Sequence, residues 1–534
     1  MPARTGSSRR AVGVVSLGCP KNLVDTEVML GLLGAAGFEI VAEAERADVL
    51  LVNTCCFIEE ARREAAEALD EAVRWRGSGE GRALVCAGCW PEMDADELRR
   101  RFPEIDALMG PGDVSSVVSV VERALAGAGA ARPESLPAAY LYDENVVRLR
   151  ATPPWTAYVK VADGCGHRCG FCIIPRLRGP YRSRPLAAIV GEVEGLAAQG
   201  VREINLVAQD TTAYGGDGGE ADAADLLSGV AQVEGVRWVR LMYAYPTGVT
   251  QRLIDVMAGA ERVCDYIDLP FQHADREVLR RMGRPGDGEA SLELIERLRG
   301  AMPDIAIRST FLVGLPGEGE GEFRRLLEFV EAAQLDRAGA FCYSPELGTP
   351  AAEMEGQVPP EVAQERYHEL MVLQQRISLG RNEGWVGRDI DVLIERSGEA
   401  ADEWIGRSFR DAPEIDGTVK VTAAGRRLRP GEFVRASVVA AEPGAAGRAR
   451  SAPLLDDHAV EVGDGEEVAP AVGPILVGAV DLAPEDLFRI IAPDLQRSDL
   501  EGGILVPDEP EHVDGVGLGL LSLHGNPPVK LLVS

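Results

Sequence analysis

Long hydrophobic runs are missing from this chain. Nowhere do apolar residues approach the roughly 20 in succession that a membrane helix requires, so a helical span is excluded and no membrane partner is expected. Positive charge is short as well. The 55 Lys and Arg residues face 85 Asp and Glu, a formal net charge of −30. A surface that acidic opposes non-specific binding to nucleic acid and favours a basic partner through electrostatic steering. Cysteine is absent after Cys342, the last of ten, which confines thiol chemistry to the first two-thirds of the chain. Aromatics are only 5% of residues, and beyond residue 440 the sole one is Phe488. With many Asp, Gly and Pro, that makes residues 441–534 a low-order acidic tail of no assignable role.

No credible export signal accompanies the ten cysteines. Ser8-Arg9-Arg10 followed by Ala11 to Cys19 imitates a basic region, a short apolar stretch and a lipoprotein cysteine. The apolar stretch fits a first β-strand equally well, so the expected location is the cytoplasm, where thiols serve metals rather than disulfides.

Three cysteines crowd one glycine-broken loop. Cys165, Cys169 and Cys172 lie in Asp-Gly-Cys-Gly-His-Arg-Cys-Gly-Phe-Cys-Ile-Ile-Pro, spaced Cys-x3-Cys-x2-Cys. Soft thiolates select iron–sulfur clusters, zinc or cuprous ion. Four would close a structural site; three leave one iron of a 4Fe–4S cluster open to a substrate-like molecule. A second trio is dispersed. Cys19 ends Val-Val-Ser-Leu-Gly-Cys, Cys55 ends Val-Leu-Leu-Val-Asn-Thr-Cys, and Cys89 ends Ala-Leu-Val-Cys-Ala-Gly-Cys. Each follows an apolar run that reads as a buried parallel strand, with helical stretches between them at 25–33 and 59–75. That alternation predicts a doubly wound parallel sheet. Loops at the carboxyl ends of such strands converge on one edge, so these three thiols should meet. Cys56, Cys86, Cys264 and Cys342 lack a motif and read as core residues.

The chain divides accordingly. Residues 11–125 form the N-terminal α/β unit. Residues 126–154, rich in Ala, Gly and Pro, read as a linker. Over 155–380, six apolar runs alternate with helical segments, which predicts a partial (β/α)6 barrel with its first strand leading into the Cys165 loop. Barrel chemistry sits at the carboxyl ends of strands. Residues 384–440 show short alternating strands, which predict a small antiparallel β-barrel.

The Cys-x3-Cys-x2-Cys loop closely resembles that of the radical S-adenosylmethionine enzymes. The order of a three-cysteine sheet, such a barrel and a small β-barrel resembles the methylthiotransferases, whose last module is the TRAM domain. The wording Ser-Leu-Gly-Cys-Pro-Lys-Asn-Leu-Val-Asp, Cys-Ile-Ile-Pro-Arg-Leu-Arg-Gly, Val-Ala-Gln-Asp-Thr-Thr-Ala-Tyr-Gly and Phe409-Arg-Asp-Ala-Pro-Glu-Ile-Asp-Gly is similar to one branch of that family. That branch modifies an aspartate of small-subunit ribosomal protein number twelve; tRNA-modifying branches read Gly-Cys-Gln-Met-Asn at the first cysteine. One departure is Cys56, where the family more often has glycine.

The resemblance implies two 4Fe–4S clusters, one on Cys19, Cys55 and Cys89 and one, binding S-adenosylmethionine, on Cys165, Cys169 and Cys172. The second would generate a 5′-deoxyadenosyl radical that takes hydrogen from the aspartate β-carbon. The first would hold the sulfur that is methylated and transferred. A low-potential electron donor of flavodoxin or ferredoxin type and a sulfur source are implied partners. Gln209, with Asp210 beside it at a strand end, and Arg308, before a glycine-rich turn, are expected near the cofactor. His273 is a weaker candidate, and Trp404 and Phe409 are candidate docking anchors for the ribosomal protein. A tRNA adenosine methylthiotransferase and a non-catalytic iron–sulfur or RNA-binding module remain as alternatives.

Overall fold

The computed structural model describes residues 9–127, 142, 146–423, 425–442 and 445–451. Its first sheet has five parallel strands: β1 (Ala11–Ser16), β2 (Glu39–Ile40), β3 (Val49–Thr54), β4 (Ala83–Gly88) and β5 (Ala107–Leu108), in the order β2-β1-β3-β4-β5. The middle strands are buried on both faces, as their unbroken apolar runs require. One face packs Val12, Val14, Leu51 and Val85 against the helices Pro20–Ala35 and Val117–Leu125. The other packs Leu50, Val52 and Leu84 against Ala65, Leu69 and Ala72 of the helix Glu59–Gly77. The sheet is therefore doubly wound.

A chain crossing leads to β6 (Thr156–Lys160) and a short antiparallel pair, β7 (Ala162–Asp163) with β8 (Arg182–Ser183). Then follow β9 (Glu203–Val207), β10 (Trp238–Leu241), β11 (Val263–Asp268), β12 (Ala306–Val313) and β13 (Arg337–Cys342). The strands β6 and β9 to β13 pair in parallel in sequential order, a six-stranded open barrel wall. Side chains alternate across it. Val159, Leu206, Ile267 and Ile307 enter the core under the helices. Tyr158, Lys160, Arg240, Tyr266 and Arg308 belong to the opposite, polar face.

That polar face is covered by two other parts of the chain. The helix Pro20–Ala35 lies against it on one side, where Asp25 pairs with Lys160. The stretch 409–416 lies against it on the other. This stretch belongs to a closed five-stranded barrel of β14 (Asp389–Ser397), β15 (Glu403–Ser408), β16 (Val419–Thr422), β17 (Phe433–Glu442) and β18 (Ala445–Ser451). The barrel extends past residue 440, where the tail was expected to begin. Its last strand reads Ala-Ala-Gly-Arg-Ala-Arg-Ser, a composition poor in strand formers. Pairing on both sides, antiparallel with β17 and parallel with β16, makes it a strand, because closure removes an open edge.

The rest of the expected tail, 452–534, lies outside the described residues, as do 128–141 and 143–145 of the expected linker. The described part of that linker is bound tightly: Leu149 N–H donates to the Glu27 carbonyl at 3.0 Å, and Ala151 N–H to the Glu27 carboxylate at 2.7 Å. Among the described residues no helix is long and apolar enough to cross a membrane.

Candidate active site

Strand register brings the dispersed trio together. Thr54 stands opposite Gly88 in the β3–β4 ladder, so Cys55 and Cys89 leave adjacent strands at the same level. Ser16 stands opposite Asn53, and three residues later Cys19 caps the helix Pro20–Ala35. Two glycines allow the close approach. Gly18 has φ +88°, and a Cβ there would come within 2.5 Å of the Cys55 Cβ. Gly88 has φ +93°, and a Cβ there would come within 2.4 Å of the Thr54 carbonyl oxygen. Any L side chain would therefore be both strained and blocked. Asn22 stitches the loops, donating to the carbonyls of Leu17 and Thr54 at 3.1 and 3.0 Å. Cys55 stands against Gly18, whereas Cys56 is buried in the apolar core with Ala65 and Trp90. Cys86 and Cys264 are also buried, as expected, but Cys342 is half-buried on the edge strand, 3.7 Å from Gln364.

The second trio sits in the loop between β7 and the helix Ile174–Arg178. Cys172 N–H donates to the Cys169 carbonyl at 3.0 Å, and Cys165 N–H to the Gly179 carbonyl at 3.1 Å. Arg284 reaches the Cys169 sulfur at 3.7 Å and lies over the Tyr245 ring at 4.3 Å. The same ring stacks on His167, centroids 3.8 Å apart, and His167 Nε2 is 2.7 Å from Asp210.

Between the trios lies a buried charge network that the motifs do not announce. Arg178, 2% exposed, follows Cys172 by six residues. One of its guanidinium nitrogens donates to Asp163 at 3.2 Å. The other donates to Asn22 at 2.8 Å and Asp25 at 3.1 Å, and lies 4.0 Å from the Cys89 sulfur. Lys160 pairs with both Asp25 and Asp163, and the Tyr142 hydroxyl donates to Asp25. Burial alone would raise the Asp163 carboxyl. Lys160 and Arg178 outweigh it and hold the group far below the usual carboxylate range.

The thiols differ in the same terms. Burial would raise Cys19, but Lys21, Arg178 and the backbone N–H groups of Asn22 and Lys21 bring it below its ordinary value. Burial, then the neighbouring Cys89 and Cys19, pushes Cys55 up to about 12. Burial likewise pushes Cys172 up to about 12 and raises Cys165 and Cys89. Such thiols become ligands when a metal removes their protons. Among the described residues no three His, Cys, Asp or Glu side chains converge enough to hold a single ion. A cubane cluster asks for a wider set, with thiolates on separate irons and hydrogen-bond donors near the sulfurs. Three thiolates each, with Arg178 beside one trio and Arg284 beside the other, fit that requirement.

The remaining expected residues are placed as follows. Gln209 donates to Asp163 at 3.2 Å, within the charge network. Arg308 pairs with Asp268 at 3.0 Å and Asp416 at 3.4 Å, toward the small barrel. His273 is fully buried; its Nδ1 accepts from Asp275 N–H at 2.9 Å, and burial lowers it to about 4. That makes it a neutral structural residue. Trp404 and Phe409 are half-buried against the small-barrel core, and Phe409 meets Trp385 edge-on at 5.7 Å. Both rings are used internally. Arg178, Lys21, Tyr243, Tyr245 and Arg284 went unnoticed in sequence. The strand-end rule points at Tyr243 and Tyr245, just past β10; Lys21 and Arg178 lie within the quoted motif wording, and nothing local marks Arg284.

Three family models match the chain: the uncharacterized protein family UPF0004 over residues 11–110, the radical SAM superfamily over 159–330 and the TRAM domain over 386–443. The ribosomal protein uS12 methylthiotransferase RimO of Desulforudis audaxviator is 49% identical over 443 residues, covering 83% of this chain and 97% of that protein. The proteins of the same name from Desulforamulus reducens and Geobacter sulfurreducens are 47% and 43% identical, each match covering 80% of this chain and 96% of the relative.

Proposed function

Since this chain belongs to the RimO family of radical SAM methylthiotransferases, we propose that it attaches a methylthio group to the β-carbon of an aspartate in ribosomal protein uS12. The observation that supports this most directly is the pair of three-thiolate sites, one at the carboxyl ends of β1, β3 and β4 with Arg178 beside it, the other in the loop after β7 with Arg284 beside it. Cys165, Cys169 and Cys172 would hold the 4Fe–4S cluster that binds S-adenosylmethionine, and Cys19, Cys55 and Cys89 the auxiliary one. When bound, these groups supply a carbon-centred radical and a sulfur to be transferred, chemistry that no side chain offers at an unactivated C–H bond.

The chain's own residues position and insulate. Arg178 and Lys160 neutralise Asp25 and Asp163 between the two sites, which fixes the helix Pro20–Ala35 against β6. Asp210 orients His167, and Tyr245 backs the loop that carries the radical trio. A flavodoxin- or ferredoxin-type protein would deliver the electron, and a separate sulfur source would recharge the auxiliary site. The reducing cytoplasm suits thiolate-held clusters.

Mass analysis of ribosomal proteins and tRNA from a deletion strain tests the substrate. Loss of one methylthio group from uS12, with tRNA unchanged, is the expected result. An unaltered uS12 would refute the proposal.

A further inference from the structure

Acidic residues vanish around the Cys165 loop. In a chain at −30, residues 164–191 contain five arginines and no Asp or Glu. Arg178 and Arg184 are buried and used internally. Arg168, between Cys165 and Cys169, is exposed, and among the described residues its guanidinium has no acid partner. A second run supplies more positive charge. The helix Arg276–Arg281 and the turn after it carry Arg276, Arg280, Arg281 and Arg284 beside one acid, Glu277. The two runs meet at Gly170, between Cys169 and Cys172. Its N–H donates to the Met282 carbonyl at 2.8 Å, and its carbonyl accepts from Ala351 N–H at 2.8 Å. Gly283 packs so closely that a Cβ there would come within 2.8 Å of the Arg168 carbonyl oxygen. Beside this junction opens a groove of about 470 Å³, lined by Arg280, Arg281, Pro316, Gly317, Met354 and Glu355.

Not every charge here is free. Asp287 cancels Arg276. Glu277 lies 2.7 Å from Arg280 and 3.3 Å from Arg281, and Glu355 stands in the groove wall. Arg168 and Arg284 have no acid against them, so the patch stays positive. Near physiological ionic strength the reach of exposed charge is about 8–10 Å. A partner docked at this patch therefore meets its arginines rather than the net charge of the whole chain. Elsewhere it meets a surface on which acids outnumber bases.

We propose that Arg168, Arg280 and Arg281, with the groove beside them, dock an acidic one-electron carrier protein of flavodoxin or ferredoxin type. The inference rests on the reading of Cys165, Cys169 and Cys172 as a cluster site. The walls of the groove are hydrogen-bonded to the residue between two of those thiols, so a carrier seated there stands against the loop that would hold the cluster. The reduced carrier gives up one electron and is left oxidised; the cluster takes that electron, and no bond forms or breaks between the proteins. Electron-transfer encounters are small, burying less than about 1,200 Å², so a few arginines suffice to direct one.

The test is binding of an acidic flavodoxin, followed by its flavin fluorescence, to the cluster-reconstituted full chain over a salt series. Affinity should fall as salt rises. The double variant Arg168→Gln, Arg280→Gln should bind about 10-fold more weakly at low salt, with iron content unchanged, and Arg168→Lys, Arg280→Lys should keep most of the affinity. Cluster reduction, followed by bleaching of the visible absorbance, is then compared with two reductants: reduced flavodoxin and reduced methyl viologen, a small cation. The double glutamine variant should be slowed with flavodoxin alone. Equal binding by wild type and that variant, or affinity that improves with salt, places the carrier elsewhere and overturns the proposal. Slowing with both reductants shows that the arginines support the cluster instead, and overturns it too. A wild-type chain that neither reductant bleaches refutes the cluster reading itself. No readout involves uS12, so the substrate assignment stands or falls separately.

Discussion

Arg178 stands beside the Cys19, Cys55 and Cys89 site, and its loss separates residue chemistry from residue packing. Its side chain is 1% exposed, and Asp25 and Asp163 on either side are 4% and 7% exposed. Replacing it by methionine leaves two buried carboxylates with one lysine between them. Breaking a buried pair in this way costs about 3–5 kcal/mol. Arg178→Met should therefore lower the denaturation midpoint by that order and reduce iron at the Cys19 site. The double variant Arg178→Met, Asp163→Asn removes a balanced pair and should recover most of the midpoint. A double variant no more stable than the single one would show that the network is not what Arg178 supports. At the same scale, the reconstituted chain should hold about eight irons, four per cluster. Changing Cys165, Cys169 and Cys172 together to alanine should leave about four, as the proposal of one cubane on each trio requires; retention of all the iron would remove the loop from the ligand set. Cys56→Ala should change the iron count little, because its thiol is buried in the apolar core.

The element with the most unexpected role is the stretch 409–416, a connection between strands of the small barrel. Its first residue, Phe409, is with Trp404 one of the two candidate docking anchors read from the sequence. In the fold it closes the polar face of the six-stranded wall. Arg407 grips Glu203 with two nitrogens at 3.0 and 2.6 Å, Arg337 pairs with Asp411 at 2.8 Å, and Arg410 with Asp336 at 2.8 Å. Arg240 donates to the Phe409 carbonyl at 2.6 Å. Ending the chain near residue 380 would expose or orphan all of these groups. The truncated protein should accordingly be unstable, with lower iron retention, rather than a competent enzyme that has lost only its docking arm; melting and iron analysis decide.

The Glu203 contact also has a pH signature. Burial would raise the carboxyl, but Arg407 and Arg240 bring it from an ordinary 4.5 down to about 2. A lowered folded-state value means that the stabilisation is fully present above about pH 4.5 and is lost as pH falls toward 2. At about 1.4 kcal/mol for each pH unit, that is worth about 3 kcal/mol. Glu203→Gln should be less stable at neutral pH and should lose this part of the acid dependence. An unchanged acid limb would show that the contact does not titrate.

At the scale of the whole molecule, charge dominates. A chain at −30 meeting a basic ribosomal protein should associate quickly at low salt and slowly at high salt, since screening shortens the reach of exposed charge to about 8–10 Å near physiological ionic strength. The association rate constant measured over a salt series should fall, with a smaller change in dissociation. A rate indifferent to salt would rule out steering.

The sequence by itself marked the candidate ligands and determined the layers. Thiolate spacing is local, so Cys165, Cys169 and Cys172 declare themselves. Buried parallel strands must be apolar, so β1, β3 and β4 and the convergence of the cysteines at their ends could be read from the sequence too. Helix–strand alternation likewise foretold the central wall. What only the tertiary structure decided is pairing between distant parts. Arg178 and Asp25 are 153 residues apart, and Arg407 and Glu203 are 204 apart; no local pattern encodes which buried charge will meet which. The same holds for Arg308, placed in sequence near a cofactor but drawn to Asp416 by the folding of the small barrel onto the wall. It holds for β18, a strand by virtue of its neighbours. Lys21 belongs to this class too: its identity was in plain view, but its place over the Tyr243 ring, 222 residues away, was set only by the fold.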